Sequence, residues 1–182
     1  MFKIFTERLV LRNFLPCDAE GLFDYLKNPR TSCFFSERCA SLEEASLKVS
    51  EMAKSELAMA VCLRDGGALI GNLDARKEAA DSYSVAWHFN SKFEGRGFAF
   101  EAARAYFDFL FKDLSARRIF AYVEEDNLRS QKLCSRLGMR KEGVFVEFVS
   151  FCNYPDGSPK YEDSAQYAIL RREWEGGRLQ NP

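Results

Sequence analysis

Hydrophobic and polar positions alternate along several short stretches of the chain, a pattern typical of strands with one buried face. The clearest run spans residues 82–89 and places Tyr83, Val85, Trp87 and Phe89 on one face. Other apolar or alternating runs predict six further strands, at residues 8–12, 58–63, 68–75, 116–123, 144–151 and 164–170. The strand at 82–89 is therefore the fourth of seven.

Helical periodicity and capping residues predict four helices between these strands. Asp18 is expected to cap the first helix, and Ser41 with Glu44 three residues later forms a capping box for the second. A long apolar helix follows the fourth strand. The last predicted helix covers residues 127–137, with Gly138 at its C′ position.

The order β-α-α-β-β-β-α-β-α-β-β predicts a mixed α/β fold whose first half is antiparallel. Strands four and five flank the long helix, so a right-handed crossover should make them a parallel pair. Neither an internal repeat nor a linker composition is visible, and residues 1–182 are expected to form a single domain.

Two glycines, Gly95 and Gly97, stand where the fourth strand turns into the long helix. Glycine permits a tight turn and a close approach of the backbone to a ligand. The first amides of a helix have no partner within the helix and carry the positive end of its dipole. The turn therefore predicts an anion site, most plausibly for phosphate. The alternative is a strand-to-helix turn that binds nothing.

Composition narrows the function further. The net charge of −1 gives no basic surplus for nucleic-acid binding, and no apolar run has the length of a membrane span, so we expect a cytoplasmic protein. The six cysteines form no C-x-x-C pair, and we expect free thiols in a reducing compartment. His88 is the only histidine, so we predict no metal site, and a Ser-His-Asp triad would have only one possible base.

Four motifs occur in an order that resembles the GNAT superfamily of N-acetyltransferases. Residues Glu94–Ala99 match its phosphate loop, Q/R-x-x-G-x-G/A, and Asn127–Met139 match its Asn-x-x-Ser helix ending in L-G-F/M. The opening Thr6–Arg12 and the final Asp163–Trp174 are similar to the Rim-type branch, the ribosomal-protein N-terminal acetyltransferases. The resemblance covers essentially the whole chain and implies the GNAT acyl-CoA N-acyltransferase fold, with strands four and five splayed.

The resemblance implies acetyl-CoA as co-substrate and direct attack of an amine on its thioester. Its pyrophosphate would lie on the backbone amides of the glycine turn, at Gly95, Arg96, Gly97, Phe98 and Ala99. Unpaired backbone groups near Phe89 would bind the pantetheine amides. Asn127 would hold the pantetheine arm, and Ser130 would donate a hydrogen bond or proton to the leaving thiolate. Each of these two also has a structural alternative: Asn127 as a helix cap only, Ser130 as a packing residue.

The chain departs from the family pattern at several positions. Glu94 stands where Gln or Arg is usual, and its carboxylate would repel a pyrophosphate unless it points to solvent or pairs with Arg96. Ser84 and Ala86 occupy fourth-strand positions where a carboxylate and a glycine are common. The general base is therefore left open between water and His88.

The motifs favour one class of acceptor over two alternatives. The Rim-type resemblance favours the N-terminal α-amine of a protein or peptide. The alternatives are a small amine, such as a polyamine or an aminoglycoside, and a CoA-binding module that has lost catalysis. We predict no nucleic-acid or membrane partner, and the pattern is compatible with a monomer or a homodimer.

Overall fold

An eight-stranded mixed sheet runs through residues 3–178, the part of the chain that the computed structural model describes. Residues 1–2 and 179–182, the ends of the predicted domain, lie outside it. The strands follow the spatial order β1-β2-β3-β4-β5-β6-β8-β7. Their bounds are β1 Lys3–Phe5, β2 Leu9–Arg12, β3 Met59–Leu63, β4 Leu69–Glu78, β5 Ser82–Phe89, β6 Arg118–Glu124, β7 Arg140–Asn153 and β8 Pro159–Leu170.

Five α-helices connect and cover these strands within the described residues. They are α1 Ala19–Leu26, α2 Leu42–Met52, α3 Phe98–Lys112, α4 Leu128–Arg136 and α5 Arg171–Arg178. Short 3-10 turns occur at Pro16–Asp18, Ser32–Glu37 and Ser91–Phe93. None of the helices between residues 3 and 178 is long and apolar enough to cross a membrane.

The predicted parallel pair of strands is confirmed, and so is its splay. β5 and β6 are parallel, whereas every other neighbouring pair in the sheet is antiparallel. Their pairing extends only over three residues of β5, from Ser82 opposite Arg118 to Ser84 opposite Phe120. Beyond Ser84, β5 continues to Phe89 while paired only with β4. The two strands therefore separate toward their carboxyl ends.

The sheet has more strand than the sequence pattern predicts. The strand β1 is missed, and β7 begins at Arg140 rather than at residue 144. β8 begins at Pro159 rather than at residue 164. The strand β1 has only three residues, and the first residues of β7 and β8 are exposed on both faces, which removes the alternation from which a strand is recognised.

Most of the predicted helix ends are found. The Ser41 hydroxyl accepts from the Glu44 amide at 3.3 Å, although the Glu44 carboxylate accepts from the amide of Ala40 and not from that of Ser41. Gly138 adopts a φ of 78° and ends α4 at the predicted C′ position. Asp18 is the exception: its carboxylate binds Arg12 at 2.7 Å and makes no cap bond to α1, because it accepts instead from the Leu15 amide at the start of the 3-10 turn that precedes α1.

The sheet separates two apolar layers. One contains α3, α4 and α5 and is rich in aromatic residues: Tyr106, Phe107 and Phe111 are buried, and Trp174 packs on the two phenylalanines. The other contains α1 and α2. All six cysteines are free; Cys39, Cys62 and Cys134 are buried. Burying large aromatic surface fixes both helix layers against the sheet, so the ends of β5 and β6 are held in place between them.

Candidate functional site

The glycine turn between β5 and α3 has the backbone conformation that its sequence predicts. Gly95 and Gly97 adopt φ values of 77° and 79°, in the left-handed region where a side chain is strained. Gly97 is the N-cap residue of α3 and supplies no side-chain cap, so the first amides of the helix point outward without an intrahelical partner. Gly95 and Arg96 are exposed. The turn thus presents amide donors and the positive end of a 15-residue helix dipole.

The start of the chain anchors this turn. Glu101, in the first turn of α3, accepts from the Thr6 hydroxyl at 2.6 Å and from the Arg8 amide at 2.8 Å. The Arg8 guanidinium binds the same carboxylate through Nε at 2.7 Å and donates to the carbonyl of Arg96 at 3.0 Å. It also lies over the Phe98 ring, 4.6 Å from its centroid. The Thr-Glu-Arg motif therefore fixes the glycine turn against β2.

A second set of contacts holds the residues before the turn. The buried Asn90 donates through its side chain to Asp24 of α1 at 2.8 Å, and Lys92 binds the same carboxylate at 2.6 Å. These contacts, Lys92 first, hold the pKa of Asp24 well below its usual value. The carboxylate is therefore charged at neutral pH, and it ties α1 to the segment that leads into the glycine turn.

Glu94 is neutralised, although not by the residue that the sequence suggests. Its carboxylate binds Arg30 at 2.8 Å and Arg129 at 2.5 Å, and no bond to Arg96 is formed among the described residues. Arg30 follows α1 and Arg129 belongs to the first turn of α4. Two arginines therefore surround one carboxylate at the edge of the glycine turn, and the local charge is positive rather than repulsive toward a phosphate.

The separation of β5 and β6 opens a cavity of about 250 Å³. Its floor is formed by Val85–Trp87 of β5 and Ala121–Glu124 of β6, and its roof by Cys33 and Phe34 with part of β7. Asn127 and Ser130 line the end nearest α4. Phe89 lies at the end of β5, five residues beyond the last pair with β6, in the segment whose backbone can bind a ligand on that side.

The two predicted residues of α4 meet at this cavity. Asn127 is the N-cap: its side-chain oxygen accepts from the Ser130 amide at 3.1 Å, while the NH2 half of the side chain can donate to a ligand. The Trp87 indole donates to the Ser130 hydroxyl at 3.1 Å across the gap. Because an indole N–H can only donate, the Ser130 oxygen is the acceptor, and its own proton can point to a third group.

His88 lies behind the cavity rather than in its lining. Its ring stacks on Phe34 at 3.9 Å and meets the edge of Tyr25 at 4.9 Å. Burial, with a smaller effect from Lys48, lowers the pKa of His88 to about 4. The imidazole is therefore neutral at physiological pH and is held as an aromatic packing residue.

Glu124 is a further functional candidate, for which the sequence suggests only a local attraction of a polycation by the run Glu124–Asp126. It is only 5% exposed, ends β6 and lines the cavity. Its Oε1 accepts from the Ser32 hydroxyl and from the Cys33 amide, both at 2.7 Å. In the sequence it belongs to the acidic run Glu124–Asp126, which resembles a solvated turn. Its alternation with the buried Val123 places it on the face of β6 that also holds the exposed Tyr122, so its burial has no signal in the sequence.

Comparison with known proteins agrees with this geometry. Residues 8–140 match the family model described as an acetyltransferase (GNAT) domain. An uncharacterised N-acetyltransferase of Bacillus subtilis, YnaD, is 30% identical over 173 residues, which are 94% of this chain and 98% of that protein.

Solved structures share the fold. A GNAT-family acetyltransferase from Bacillus anthracis has 28% identity and a TM-score of 0.85, covering 94% of this chain and all of that one. A ribosomal-protein-S5-alanine acetyltransferase from Vibrio fischeri has 21% identity and a TM-score of 0.71, covering 96% and 99%, which shows a common fold. The phosphate-loop motif and the Asn-x-x-Ser helix both lie within the matched region. The chain therefore belongs to the GNAT family of acetyltransferases.

Proposed function

We propose that this acetyltransferase takes the acetyl group of acetyl-CoA and passes it to the N-terminal α-amine of a protein or peptide. The observation that carries the acetyl-CoA part is the gap between β5 and β6: the glycine turn, with its amide donors, follows the free end of β5, and Ser130 lines the cavity between the two strands. An extended molecule with a phosphate at one end and a thioester at the other fits this arrangement.

In this proposal the pyrophosphate lies on the amides of the glycine turn, contributed by Gly95, Arg96, Gly97, Phe98 and Ala99. The free side of β5, up to Phe89, supplies backbone partners for the pantetheine amides. The NH2 group of Asn127 donates to the same arm from the α4 side. Arg30 and Arg129, which offset the charge of Glu94, keep the glycine turn favourable for an anion.

The chemistry is a direct transfer. The amine nitrogen attacks the thioester carbonyl, the carbon–sulfur bond breaks, and the CoA sulfur leaves as a thiol. Ser130 provides the hydrogen bond or proton for that sulfur, since Trp87 occupies its oxygen as an acceptor and leaves its hydrogen to be donated. The interaction gains strength only as negative charge develops on sulfur, which is the condition for lowering the barrier.

The acceptor class rests on two arguments. The motifs at Thr6–Arg12 and Asp163–Trp174 are similar to the Rim-type branch, whose acceptors are protein N-termini. An α-amine also has a pKa of about 8, against about 10.4 for a lysine side chain, so far more of it is neutral at pH 7. In a small cavity whose lining contains no histidine, the less basic amine is favoured.

A small polyamine is the second candidate, favoured by the two carboxylates, Glu124 and Glu162, that meet at Ser32. Release of the CoA thiol should be measured with three acceptors in competition. They are a peptide with a free N-terminus, the N-acetylated form of that peptide with an internal lysine, and spermidine. Preference for the free N-terminus supports the proposal. Preference for spermidine, lost on neutralising Glu124, would assign the chain to polyamine acetylation.

A further inference from the structure

A buried carboxylate at the end of β6 is left half satisfied. Two donors bind Oε1 of Glu124, yet its Oε2 has no hydrogen-bond partner among residues 3–178 and is shielded from solvent. A buried charged oxygen without a partner costs several kcal/mol or more unless a cation or donor compensates it. Because Glu124 lines the cavity, its carboxylate is suited to a ligand that brings its own N–H donors.

In the described part of the chain, no cationic side chain lines the cavity beside this carboxylate. Its lining contains neither lysine, arginine nor histidine, and apart from Glu124 its polar side chains are uncharged or aromatic: Cys33, Trp87, Tyr122, Asn127, Ser130 and Ser164. The rest is aliphatic or phenylalanine. In such surroundings a carboxylate attracts a protonated amine more strongly than it would in water. Glu124 and Ser130 also line the same cavity, as an amine partner and a thiolate partner for one reaction must.

A hydroxyl links Glu124 to a second carboxylate. The Ser32 oxygen lies 2.7 Å from Oε1 of Glu124 and 2.5 Å from Oε2 of Glu162 on β8. Because a hydroxyl has one proton, it can donate to only one of these carboxylates at a time. Glu162 in turn approaches Lys160 at 3.3 Å, and the Lys160 side chain is 47% exposed. Hydrogen-bonding groups therefore run from the cavity wall to the surface.

We propose that Glu124 binds the acceptor amine and accepts its proton, and that Ser32 and Glu162 carry that proton to solvent. This assignment rests on the proposed amine acetylation. The fourth predicted strand, β5, lacks the carboxylate that is common in the family. In this proposal Glu124, on the neighbouring strand β6, is the general base instead. Ser32 and Glu162 are positioning residues that act through Glu124.

The proton balance can be written in full. The acceptor arrives as R–NH3⁺ and leaves as an amide with one hydrogen on nitrogen, so it loses two protons. The first passes to the carboxylate of Glu124 and frees the lone pair, which forms the C–N bond as the C–S bond breaks. The second balances the thiolate, which leaves as CoA–SH. One proton per turnover therefore passes to solvent: the Ser32 oxygen accepts it from Oε1 of Glu124 while the Ser32 hydroxyl gives its own proton to Glu162.

Other titratable groups near Glu124 do not take this role. Burial, and secondly the charge of Glu124, raises the pKa of Cys33 to about 12, so its thiol remains protonated. The remaining titratable groups near Glu124 are Tyr122, two residues earlier on the same face of β6, and Glu162 and Lys160 of β8, which belong to the path to the surface. The adjacent Glu125 points elsewhere, to Lys141 at 2.6 Å, and is the matched control.

The experiment compares the wild type with Glu124→Gln, Glu124→Asp and Glu125→Gln. The probes are acetyl-CoA with Ala-Ala-Ala amide, n-butylamine and spermidine. Thiol release is followed between pH 6 and 10, and CoA binding is measured separately by calorimetry. Glu124→Gln should lower kcat/KM at pH 7 by about 100-fold or more, the usual range for loss of a general base. Its deficit should shrink at high pH, where the amine is already neutral. Glu125→Gln should match the wild type.

The path is tested with Ser32→Ala, Ser32→Thr and Glu162→Gln. Ser32→Ala should lower kcat and shift its pH dependence, with Ser32→Thr restoring both because it keeps the hydroxyl. A residue that is only structural would not produce this pattern.

A CoA-binding measurement distinguishes failure of the proposed function from failure of the proposed role of Glu124. If CoA fails to bind the wild type, the proposed function is wrong, and the role of Glu124 with it. If CoA binds and Glu124→Gln turns over every accepted amine at the wild-type rate at all pH values, only the role of Glu124 is overturned. A folded Glu124→Asp variant with more activity than Glu124→Gln would support the carboxylate; equal loss in both folded variants would count against it.

Discussion

Arg8 and Glu101 are 93 residues apart in sequence, yet Arg8 holds the Glu101 carboxylate through its amide and its guanidinium, at 2.8 and 2.7 Å. The same guanidinium reaches the carbonyl of Arg96 inside the glycine turn. One side chain thus couples the start of β2, the first turn of α3 and the phosphate loop. Burial raises the pKa of the Glu101 carboxyl, but the bonds from Thr6 and Arg8 together lower it below its usual value.

Arg8→Ala should therefore weaken CoA binding without changing which acceptor is used. Losing the bond to the Arg96 carbonyl frees the turn, and the expected loss is about tenfold in Kd, or about 1.4 kcal/mol. Arg104→Ala, an exposed arginine on the same helix, is the control and should bind CoA normally. Calorimetry on both variants measures the difference. An unchanged Kd in Arg8→Ala would show that the glycine turn holds its conformation alone.

Gly97→Asp should abolish CoA binding, because it places a negative side chain at the N-cap, where the pyrophosphate must approach. Gly66→Asp is the matched control, since Gly66 has a similar φ of 74° in the β3–β4 hairpin, away from α3. Both variants place a side chain at a similar positive φ, and only Gly97→Asp adds charge at the glycine turn. Unchanged CoA affinity in a folded Gly97→Asp protein would remove the phosphate from this turn.

Ser130→Ala should lower kcat by about tenfold or more, with little change in acetyl-CoA affinity, because the bond to the leaving sulfur matters mainly in the transition state. Ser135→Ala, on the exposed side of the same helix, should leave kcat unchanged. Trp87→Phe removes the indole donor that orients Ser130 and should reduce kcat by a smaller factor. A wild-type kcat in Ser130→Ala would make Ser130 a packing residue.

Local sequence signals were sufficient to predict those parts of the site whose conformation depends only on residues adjacent in sequence. Gly95 and Gly97 predict their turn because few other residues adopt that conformation, and Asn127 predicts its own cap. The partners of Glu94 could not be predicted in this way, because Arg30 and Arg129 reach it from distant parts of the chain.

The buried environment of Glu124 could not be predicted for a related reason. Its environment depends on Ser32, 92 residues earlier, which the fold brings over the end of β6. An acidic residue before a helix has the same sequence signature whether it is solvated or buried. Only the tertiary structure separates Glu124 from its neighbour Glu125, which binds Lys141 at the surface.

His88→Phe tests whether the only histidine has a catalytic role. Phenylalanine keeps the stack on Phe34 and cannot titrate. Because His88 does not line the cavity, the variant should keep most of the wild-type kcat/KM and the same pH profile. Thiol release across pH 6–10 measures this. Complete loss in a folded His88→Phe protein, with recovery on adding imidazole, would identify His88 as the base.

The same variant has a second, thermodynamic consequence. The folded protein lowers the pKa of His88 from about 6.5 to about 4, mainly by burial. Between these two values the unfolded chain binds a proton that the folded chain does not, so falling pH destabilises the wild type. Above pH 6.5 the histidine contributes no pH dependence, and below pH 4 its penalty is constant.

The unfolding free energies of wild type and His88→Phe, from urea titrations, should therefore differ by a constant above pH 6.5. They should diverge by up to about 1.4 kcal/mol per pH unit as pH falls toward 4. Parallel curves through that window would mean that the His88 ring is protonated in the folded state, and its packing against Phe34 would then have to accommodate a charge.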